Sequence, residues 1–378
     1  MKLGLLFPLS NVHPSIGSGF VLGLKAMLAT KQLQDAVTII KEPIGFGGGE
    51  KEVYQKAEKL LMVDEVDLLI AFVDEKAFEL LNPLIQAADK PVLLVNAGAN
   101  YPLNWVAQPN VIRLNLQHAF SCYLSGILAA QGGNKQGALV SSFYDCGYLH
   151  TAAIVNGFTE NGGQMLHNYI NNQRYDEGFE IGQLTDFITA NPACTQLLSV
   201  LDELPASLVY DRLKQYNAAV PIHLYVSPMM LQGAALKNIE SGFVHAVDGY
   251  MPWHAGLAHE ANQQFINSCK EKASIFSLLG WEIGLIIAAL KPDQQQDWNG
   301  DAVIASLLNK KIEGPRGTLT LDPDTQIYMA PLYHYYKSEG TGHATIESVS
   351  DLGKDWKAFT AKSTEGHVTG WTNTYLCY

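Results

Sequence analysis

Residues 67–95 read DLLIAFVDEKAFELLNPLIQAADKPVLLV, and this stretch decides the fold class. Two apolar runs, residues 67–72 and 91–95, flank residues 78–88, where apolar side chains recur at helical spacing. Short apolar strands that alternate with helices are typical of βαβ units, in which parallel strands are covered on both faces. The stretch therefore predicts an α/β fold with a parallel sheet.

The same alternation extends from this stretch in both directions. It begins at residue 2, restarts after residue 114 and continues to residue 225, so the sequence predicts two α/β lobes of similar design. The polar, glycine-rich tail from residue 339 to residue 378 is expected to wrap one lobe as an irregular extension. The other predicted strands are residues 2–7, 37–40, 137–141, 164–169, 196–200, 222–225, 317–321 and 327–336, and the other predicted helices are residues 19–29, 51–62, 121–130, 150–161, 178–189, 206–216 and 275–290.

The size and charge of the chain limit the possible classes of protein. The chain has 378 residues, of which 47% are hydrophobic and 16% charged. A single hydrophobic core rarely grows beyond about 250–300 residues, so the length favours two domains. The formal net charge is −12, and an acidic surface repels the phosphate backbone of nucleic acids. We therefore expect no nucleic-acid partner.

Sequence motifs for catalysis, metals and cofactors are absent. The five cysteines form no C-x-x-C pair, and the histidines show no metal-ligand spacing. Gly17 and Gly19 are followed by Leu22 where a dinucleotide-binding fingerprint requires glycine, and residues 45–49 lack the lysine of a phosphate-binding loop. The sequence thus predicts a protein that is not an enzyme and holds no metal or cofactor. Its cysteines are expected to be buried and reduced, with a single disulfide as the alternative.

No stretch approaches the roughly 20 apolar residues of a membrane-spanning helix. The apolar start, residues 3–7, is too short for a signal peptide and ends at Pro8, so it is interpreted as the first strand. If the protein is exported, we expect this sequence to be the mature form with its leader removed.

Polar residues and glycines follow the predicted strands at their carboxyl ends. Ligands of open α/β sheets bind at this edge, where helix N-termini also offer free N–H groups. The alternative interpretation is structural: serines and carboxylates at these positions are also typical helix caps and helix-start charges. The candidate segments are residues 8–20, Asp74 with Glu75 and residues 97–100 in the first lobe, and residues 143–147, 201–203 and 227–228 in the second.

The order of several motifs resembles that of the leucine/isoleucine/valine-binding protein family. Members of this family are type I periplasmic binding proteins of ABC importers. Each motif is weak by itself, but their order and spacing together are fairly specific and span nearly the whole chain. The motifs are Leu9-Ser10 with Gly17-Ser18 and Gly23, residues 95–102, residues 137–140 with 144–147 and 156–158, and residues 314–317 with Leu321-Asp322.

This resemblance implies two doubly wound parallel-sheet lobes joined by a three-strand hinge. Residues 1–116 and 250–325 would form lobe 1, and residues 117–249 and 326–378 would form lobe 2 with its C-terminal extension. The hinge strands would cross near residues 114–118, 248–251 and 322–328. The implied ligand contacts are Ile16, Ser18, Asp74, Glu75, Ala99, Asn100 and Phe276 from lobe 1, and Tyr144, Cys146, Asp202, Glu203 and Ser227 from lobe 2.

The resemblance further implies a periplasmic or extracellular solute-binding protein that captures a small polar ligand in the interlobe cleft and delivers it to a membrane ABC permease. Amino-acid binders of the family usually have hydroxyls where this chain has Asp74, Glu75 and Asn100, and an aromatic residue where it has Ile16. The resemblance implies an amino acid or a related amine or amide as the ligand. A carboxylate at the first of these positions would repel the α-carboxylate of an amino acid, so the departures favour a cationic, amide-like or sugar-like polyol ligand over leucine. The main alternative is the ligand-sensing domain of a signalling system. A transcription regulator would need a helix-turn-helix before the first strand.

Overall fold

The protein divides into two compact units, each built around one β-sheet. A computed structural model describes residues 1–171, 180–216, 221–243, 245–294, 298–338, 343–366 and 375. The first unit contains residues 1–116, the described part of residues 253–331, and Tyr375. The second unit contains the described parts of residues 117–252 and 332–366. Each unit is therefore discontinuous in sequence.

Two short segments do not lie in the unit that corresponds to their expected lobe. Residues 250–252 belong to the second unit, because the strand Ala246–Met251 pairs there with His223–Val226. Residues 326–331 belong to the first unit, because Ile327–Met329 pairs there with Val111–Asn115. Tyr375, which was expected in the second lobe, lies in the first unit. The predicted boundaries between two lobes that move as separate bodies stay a prediction.

The first unit has an eight-stranded sheet in the order β11-β12-β13-β5-β4-β3-β1-β2, numbered along the chain. Its central strands are the uninterrupted apolar runs of the sequence and are fully buried, as expected for parallel strands covered on both faces. Near one end of the sheet, β12 pairs antiparallel with both β11 and β13, so the sheet is mixed. The strands are β1 Lys2–Phe7, β2 Thr38–Pro43, β3 Leu68–Phe72, β4 Val92–Asn96, β5 Val111–Asn115, β11 Lys311–Gly314, β12 Gly317–Leu321 and β13 Ile327–Met329, and the helices are α1 Ile16–Thr30, α2 Glu50–Glu58, α3 Glu75–Glu79, α4 Asn82–Ala88, α10 Glu260–Cys269, α11 Ile275–Ala289 and α12 Gly300–Leu307.

The second unit has a seven-stranded sheet in the order β15-β14-β10-β9-β8-β6-β7. Strands β6 to β10 are parallel, and β14 and β15 add an antiparallel edge. The strands are β6 Gln136–Ser142, β7 Gln164–Asn171, β8 Gln196–Val200, β9 His223–Val226, β10 Ala246–Met251, β14 Leu332–Lys337 and β15 Thr345–Val349, and the helices are α5 His118–Gln131, α6 Leu149–Glu160, α7 Gly182–Ala190, α8 Glu203–Gln215, α9 Gly233–Glu240 and α13 Gly353–Thr360.

Both units use glycines to bring a pair of helices into backbone contact. In the first unit, a Cβ at Gly23 of α1 would lie 1.9 Å from the Ser277 carbonyl oxygen, and one at Gly280 of α11 would lie 1.9 Å from that of Phe20. In the second unit, a Cβ at Gly126 of α5 would lie 2.1 Å from the Ile154 carbonyl oxygen of α6. Such distances exclude any side chain at these crossings. The contact in the first unit joins α1 to a helix that follows it by about 250 residues in sequence.

Several predicted elements differ in detail. The strand predicted over residues 327–336 is two strands in different sheets, β13 in the first unit and β14 in the second. The helix predicted over residues 78–88 is two helices, because Pro83 at the start of α4 has no N–H to continue the preceding helix. The helix predicted over residues 51–62 starts at Glu50, is α-helical only to Glu58, and then forms a π turn at Lys59–Val63. The tail contains β15 and α13, so its described part is regular rather than irregular.

Candidate functional site

The first unit places its candidate residues at one edge of the sheet. Strands β4, β3 and β1 are neighbours and run parallel, so the loops that follow them lie side by side. We call this the carboxyl edge of the first unit. The edge carries the β1–α1 loop, Asp74 after β3 and Asn100 after β4.

Asp74 and Asn100 form a buried polar pair at this edge. Asn100 Nδ2 donates to Asp74 Oδ1 at 2.8 Å, and the two residues are 5% and 1% exposed, respectively. Burial raises the pKa of Asp74 to about 7, although the hydrogen bond from Asn100 opposes the shift. The carboxyl group is thus poised between its charged and neutral forms near neutral pH.

Glu75 has a different environment from Asp74, although the two residues are adjacent. Arg113 Nε donates to both carboxylate oxygens of Glu75, at 3.2 and 3.3 Å, and both residues are buried. The guanidinium also donates to Gln108 Oε1 at 2.9 Å. The sequence suggested Glu75 as a ligand contact, but the structure gives its charge a partner within the same unit.

The loop after β4 is shaped by its own side chains. Asn96 Oδ1 accepts from the Gly98 N–H at 2.8 Å, and Gly98 has a φ of 68°, a left-handed conformation that favours glycine. Asn96 Nδ2 donates to the Val73 carbonyl at 3.2 Å, which ties this loop to the one after β3. Ala99 is fully buried beside them.

The start of α1 contributes Ile16, which is buried, and Ser18, which is exposed. The hydroxyl of Ser18 lies 3.4 Å from the Ser15 carbonyl oxygen, a contact within the helix start. Phe276 at the start of α11 is buried against the rings of His13 and Tyr375, at centroid distances of 5.7 and 5.3 Å. These residues border the β1–α1 loop.

The second unit has a carboxyl edge of the same design. Strands β6, β8 and β9 are neighbours and parallel, and they are followed by Asp145, Asp202 and Ser227. The Asp202 N–H donates to Asp145 Oδ2 at 3.3 Å, and the Ser142 hydroxyl donates to the same oxygen at 2.6 Å. Both aspartates are buried.

Asp145 has a strongly raised pKa. Burial raises its pKa to about 8, the neighbouring charge of Asp202 adds to the rise, and the bonds from Ser142 and the Asp202 amide oppose it. His150, at the start of α6, is completely buried, and burial lowers its pKa to about 4. Neither ring nitrogen of His150 has a hydrogen-bond partner among the described residues.

The other predicted residues of the second unit lie around these aspartates. Tyr144 packs edge-to-face against the exposed ring of Phe143 at 5.6 Å. The Cys146 thiol donates to the Ser141 hydroxyl at 3.2 Å, and burial raises its pKa. The three remaining residues contact backbone groups: the Glu203 carboxylate accepts from the Ala234 N–H at 2.7 Å, the Asp202 side chain from the Glu203 N–H at 2.6 Å, and the Ser227 hydroxyl donates to the Leu201 carbonyl at 3.5 Å.

The sequence interpretation did not single out Arg113, Asp145 or His150. A charged residue inside the apolar strand β5 was a detectable signal for Arg113, since a buried guanidinium requires a partner. Asp145 lay within a candidate segment but was not chosen, and His150 carries no local signal, because its isolation depends on packing.

Within the described ranges, no group of three or more His, Cys, Asp or Glu side chains is arranged to hold a metal ion. In the same part of the chain, no helix has the length and apolar character that crossing a membrane requires.

Several solved structures have a similar fold. An ABC transporter substrate-binding protein from Sphaerobacter thermophilus has a TM-score of 0.76 and 18% identity, covering 93% of this chain and 97% of that chain. A solute-binding protein of an ABC transporter from Rhodopseudomonas palustris, solved in complex with benzoate, has a TM-score of 0.70 and 18% identity, covering 93% and 97%. A leucine-binding protein from Thermotoga maritima has a TM-score of 0.66 and 13% identity, covering 93% and 99%. A comparison with curated proteins gave no significant match.

The sequence itself matches a family model over residues 1–340, under the description periplasmic binding protein. The family contains extracytoplasmic substrate-binding proteins of ABC transporters, which bind small molecules and are not enzymes. The predictions of a non-enzymatic protein and of two α/β lobes are therefore confirmed. The chain belongs to the periplasmic binding protein family.

Proposed function

We propose that this protein captures a small polar ligand, an amino acid or a related amine or amide, and delivers it to the membrane permease of an ABC importer. The proposal places it outside the cytoplasm and near the leucine/isoleucine/valine-binding branch of its family. Family membership supports the transport role, and the chemistry of the two carboxyl edges supports the ligand class.

One observation carries the ligand class: each carboxyl edge has a buried aspartate within three residues of the end of a parallel strand. Asp74 and Asp145 are 1% and 3% exposed. A buried carboxylate is costly unless a donor pairs with it, and ligands of such sheets bind at this edge. A ligand that brings N–H or O–H donors would stabilise the charged form of either group. An entirely apolar ligand would leave both unsatisfied.

Two of the similar structures offer ligand chemistry for comparison. The Rhodopseudomonas protein was solved with benzoate, and the Thermotoga protein is described as leucine-binding. Leucine carries both an ammonium and a carboxylate, whereas benzoate carries only a carboxylate. The acidic edges of this chain favour the ligand that brings a positive charge or neutral donors.

Asp74 is the ligand-contacting carboxyl group that we propose for the first unit, in preference to Glu75. The Glu75 charge is already paired with Arg113, and its hydrogen bonds would have to break before it could pair with a ligand. The remaining predicted residues, Ile16, Ser18, Ala99, Asn100 and Phe276, are proposed to shape the same edge. Tyr144, Cys146, Asp202, Glu203 and Ser227 are proposed for the second unit.

A thermal-shift screen tests this function. The full chain is heated with each of five compounds in turn: leucine, isopentylamine, 4-methylpentanoate, benzoate and benzamide. These compounds differ in whether they carry an ammonium, a carboxylate or an amide group, so the screen shows which group binding requires. A true ligand at about 100 times its Kd stabilises the protein by about 2.7 kcal/mol. No stabilisation by leucine or by any amine or amide would contradict the proposed ligand class.

Calorimetry of Asp74→Asn and Asp35→Asn then tests the site. Asp35 is an exposed carboxylate of the same unit and serves as the matched control. We expect Asp74→Asn to weaken binding by about 10- to 100-fold, as a charge-assisted hydrogen bond is worth about 1.5–3 kcal/mol. Equal affinities for both variants would show that Asp74 does not contact the ligand.

A further inference from the structure

The carboxyl edge of the second unit contains a carboxyl group with no positive charge to balance it. Asp145 is buried, and the charged group that acts on it most strongly is the carboxylate of Asp202. Among the described residues, Asp145 has no ion pair with a lysine, arginine or histidine. Two neighbouring buried carboxyl groups cannot both be ionised without a large free-energy cost.

His150 is the second feature that points to a missing partner. Its imidazole is completely buried beside the two aspartates, close enough for the Asp145 carbonyl and the Asp202 charge to influence its pKa. Because burial keeps the ring neutral, it supplies no counter-charge. Both ring nitrogens lack a hydrogen-bond partner in the described structure, and a buried unsatisfied polar group costs about 1–3 kcal/mol.

The other titratable groups near Asp145 do not compensate it either. Cys146, on the same turn, is a protonated thiol whose pKa is raised by burial and by Asp145 itself. Glu203, at the start of α8, adds negative charge and is bound to the backbone of α9. Tyr144 and Tyr148 carry phenol side chains, which bring no positive charge. The described surroundings of Asp145 are thus acidic or neutral.

We infer that Asp145 holds a proton in the ligand-free protein and that the ammonium group of the ligand replaces this proton, so that binding of a cationic group is coupled to proton release. The inference rests on the proposed function and adds the charge of the ligand and its pH dependence. In the free state the proton neutralises Asp145. On binding, the ammonium pairs with the Asp145 carboxylate beside Asp202, and the released proton passes to the solvent.

The geometry suits this exchange. Ser142 Oγ and the Asp202 amide both donate to Asp145 Oδ2, which leaves Oδ1 as the oxygen that carries the proton or meets the ligand. These two bonds persist in either state and hold the carboxyl group in one orientation. An ammonium has three N–H donors, and Asp145, Asp202 and an unpartnered nitrogen of His150 offer acceptors close together.

The test is calorimetry of the full chain with isopentylamine, leucine and 4-methylpentanoate between about pH 6 and about pH 9, in two buffers that differ in ionisation enthalpy. Isopentylamine is leucine without its carboxylate, and 4-methylpentanoate is leucine without its ammonium. We expect the affinity for the two ammonium compounds to rise by up to about tenfold per pH unit until Asp145 is ionised. About one proton should be released per ligand bound, and 4-methylpentanoate should show no such rise.

Two variants isolate the group responsible. Asp145→Asn imitates the protonated carboxyl group and keeps an acceptor for Ser142, so we expect it to abolish the pH dependence and to weaken ammonium binding at the alkaline end by about tenfold or more. Asp202→Asn keeps the helix cap, and should move the pH dependence towards lower pH. Asp186→Asn, an exposed carboxylate of the same unit, is the control and should leave it unchanged.

A measurement without ligand keeps the inference testable if a variant fails to fold. Carboxyl carbon NMR of the unmodified protein should show Asp145 titrating near neutral or alkaline pH, well above the exposed aspartates. Titration of Asp145 together with the exposed aspartates overturns the inference. So does a pH-independent affinity for leucine or isopentylamine, and so does the failure of both to bind. The proposed function survives the first two results if leucine or isopentylamine binds, and it survives the third if benzamide binds.

Discussion

The two units have similar carboxyl edges but balance their buried charge in different ways. In the first unit, Glu75 follows β3 and is paired with Arg113, which extends from β5, two strands away in the sheet. In the second unit, Asp145 has no such cation among the described residues and lies beside another carboxylate. An acidic residue after a strand is therefore not a binding residue by position alone. A structural carboxylate is already paired with a positive charge of the protein, whereas a ligand-binding carboxylate lacks that partner and can pair with the ligand.

The packing of the two units is much more alike than their chemistry. Each unit brings two helices into backbone contact through glycines, Gly23 with Gly280 and Gly126 with Gly157. Each also buries apolar parallel strands under helices. The scaffold is thus repeated, and the functional difference lies in a few polar side chains at the strand ends.

The largest expected effect results from breaking the ion pair between Arg113 and Glu75 in the first unit. Arg113→Met should leave the Glu75 carboxylate buried without a partner, at a cost of about 3–5 kcal/mol in the free energy of unfolding. Urea denaturation measures the loss. The double variant Arg113→Met with Glu75→Gln should recover most of it, because no buried charge remains. A double variant as unstable as the single one would show that the packing of Arg113, rather than its charge, is what matters.

The next effect concerns the second unit and depends on pH. Above the ordinary aspartate pKa the unfolded chain releases the Asp145 proton while the folded chain keeps it, so stability should fall as pH rises from about 4 to about 8. Since one pKa unit corresponds to about 1.4 kcal/mol, the loss amounts to several kcal/mol at most. Urea denaturation of Asp145→Asn over this range should show a smaller decline than the unmodified protein. An equal decline of stability in both proteins would show that the pH dependence comes from a group other than Asp145.

A smaller effect tests the packing that the two units share. Gly23→Ala and Gly126→Ala each place a Cβ about 2 Å from a backbone oxygen, and overpacking of this kind typically costs about 1–3 kcal/mol. Gly182→Ala in α7 is the matched control, since a Cβ there meets nothing within 4 Å. Thermal denaturation should show comparable losses for the first two variants. A loss in only one of them would mean that the helix pairs are not equivalent.

The sequence predicted those features of the fold that depend on residues close together in the chain. The apolar runs of β3 and β4 and the helical spacing between them identified the α/β class, because burial of parallel strands leaves a direct pattern. The split of the helix at Pro83 also has a local signal, because proline has no N–H to continue a helix. Candidate edges followed from strand order, as the carboxyl ends of parallel strands lie together.

The charge balance of the edges could not be predicted in the same way. Arg113 and Glu75 are 38 residues apart, and Asp145 and Asp202 are 57 apart. Whether two such residues meet depends on the register of strands that no local pattern specifies. The isolation of His150 likewise results from packing around it. The sequence therefore indicated where polar groups gather, whereas the structure shows which of them are compensated.

The smallest effect separates the two roles of Asp202, as a helix cap and as a charge. Its side chain accepts from the Glu203 N–H at 2.6 Å, whereas Asp74, at the corresponding position before α3, makes no cap bond. Asparagine caps helices about as well as aspartate, and loss of a cap costs about 1 kcal/mol. We expect Asp202→Ala to be about 1 kcal/mol less stable than Asp202→Asn in urea denaturation, because only the asparagine keeps the acceptor. Equal stability of the two variants would show that the cap contributes nothing and that Asp202 acts at this edge through its charge alone.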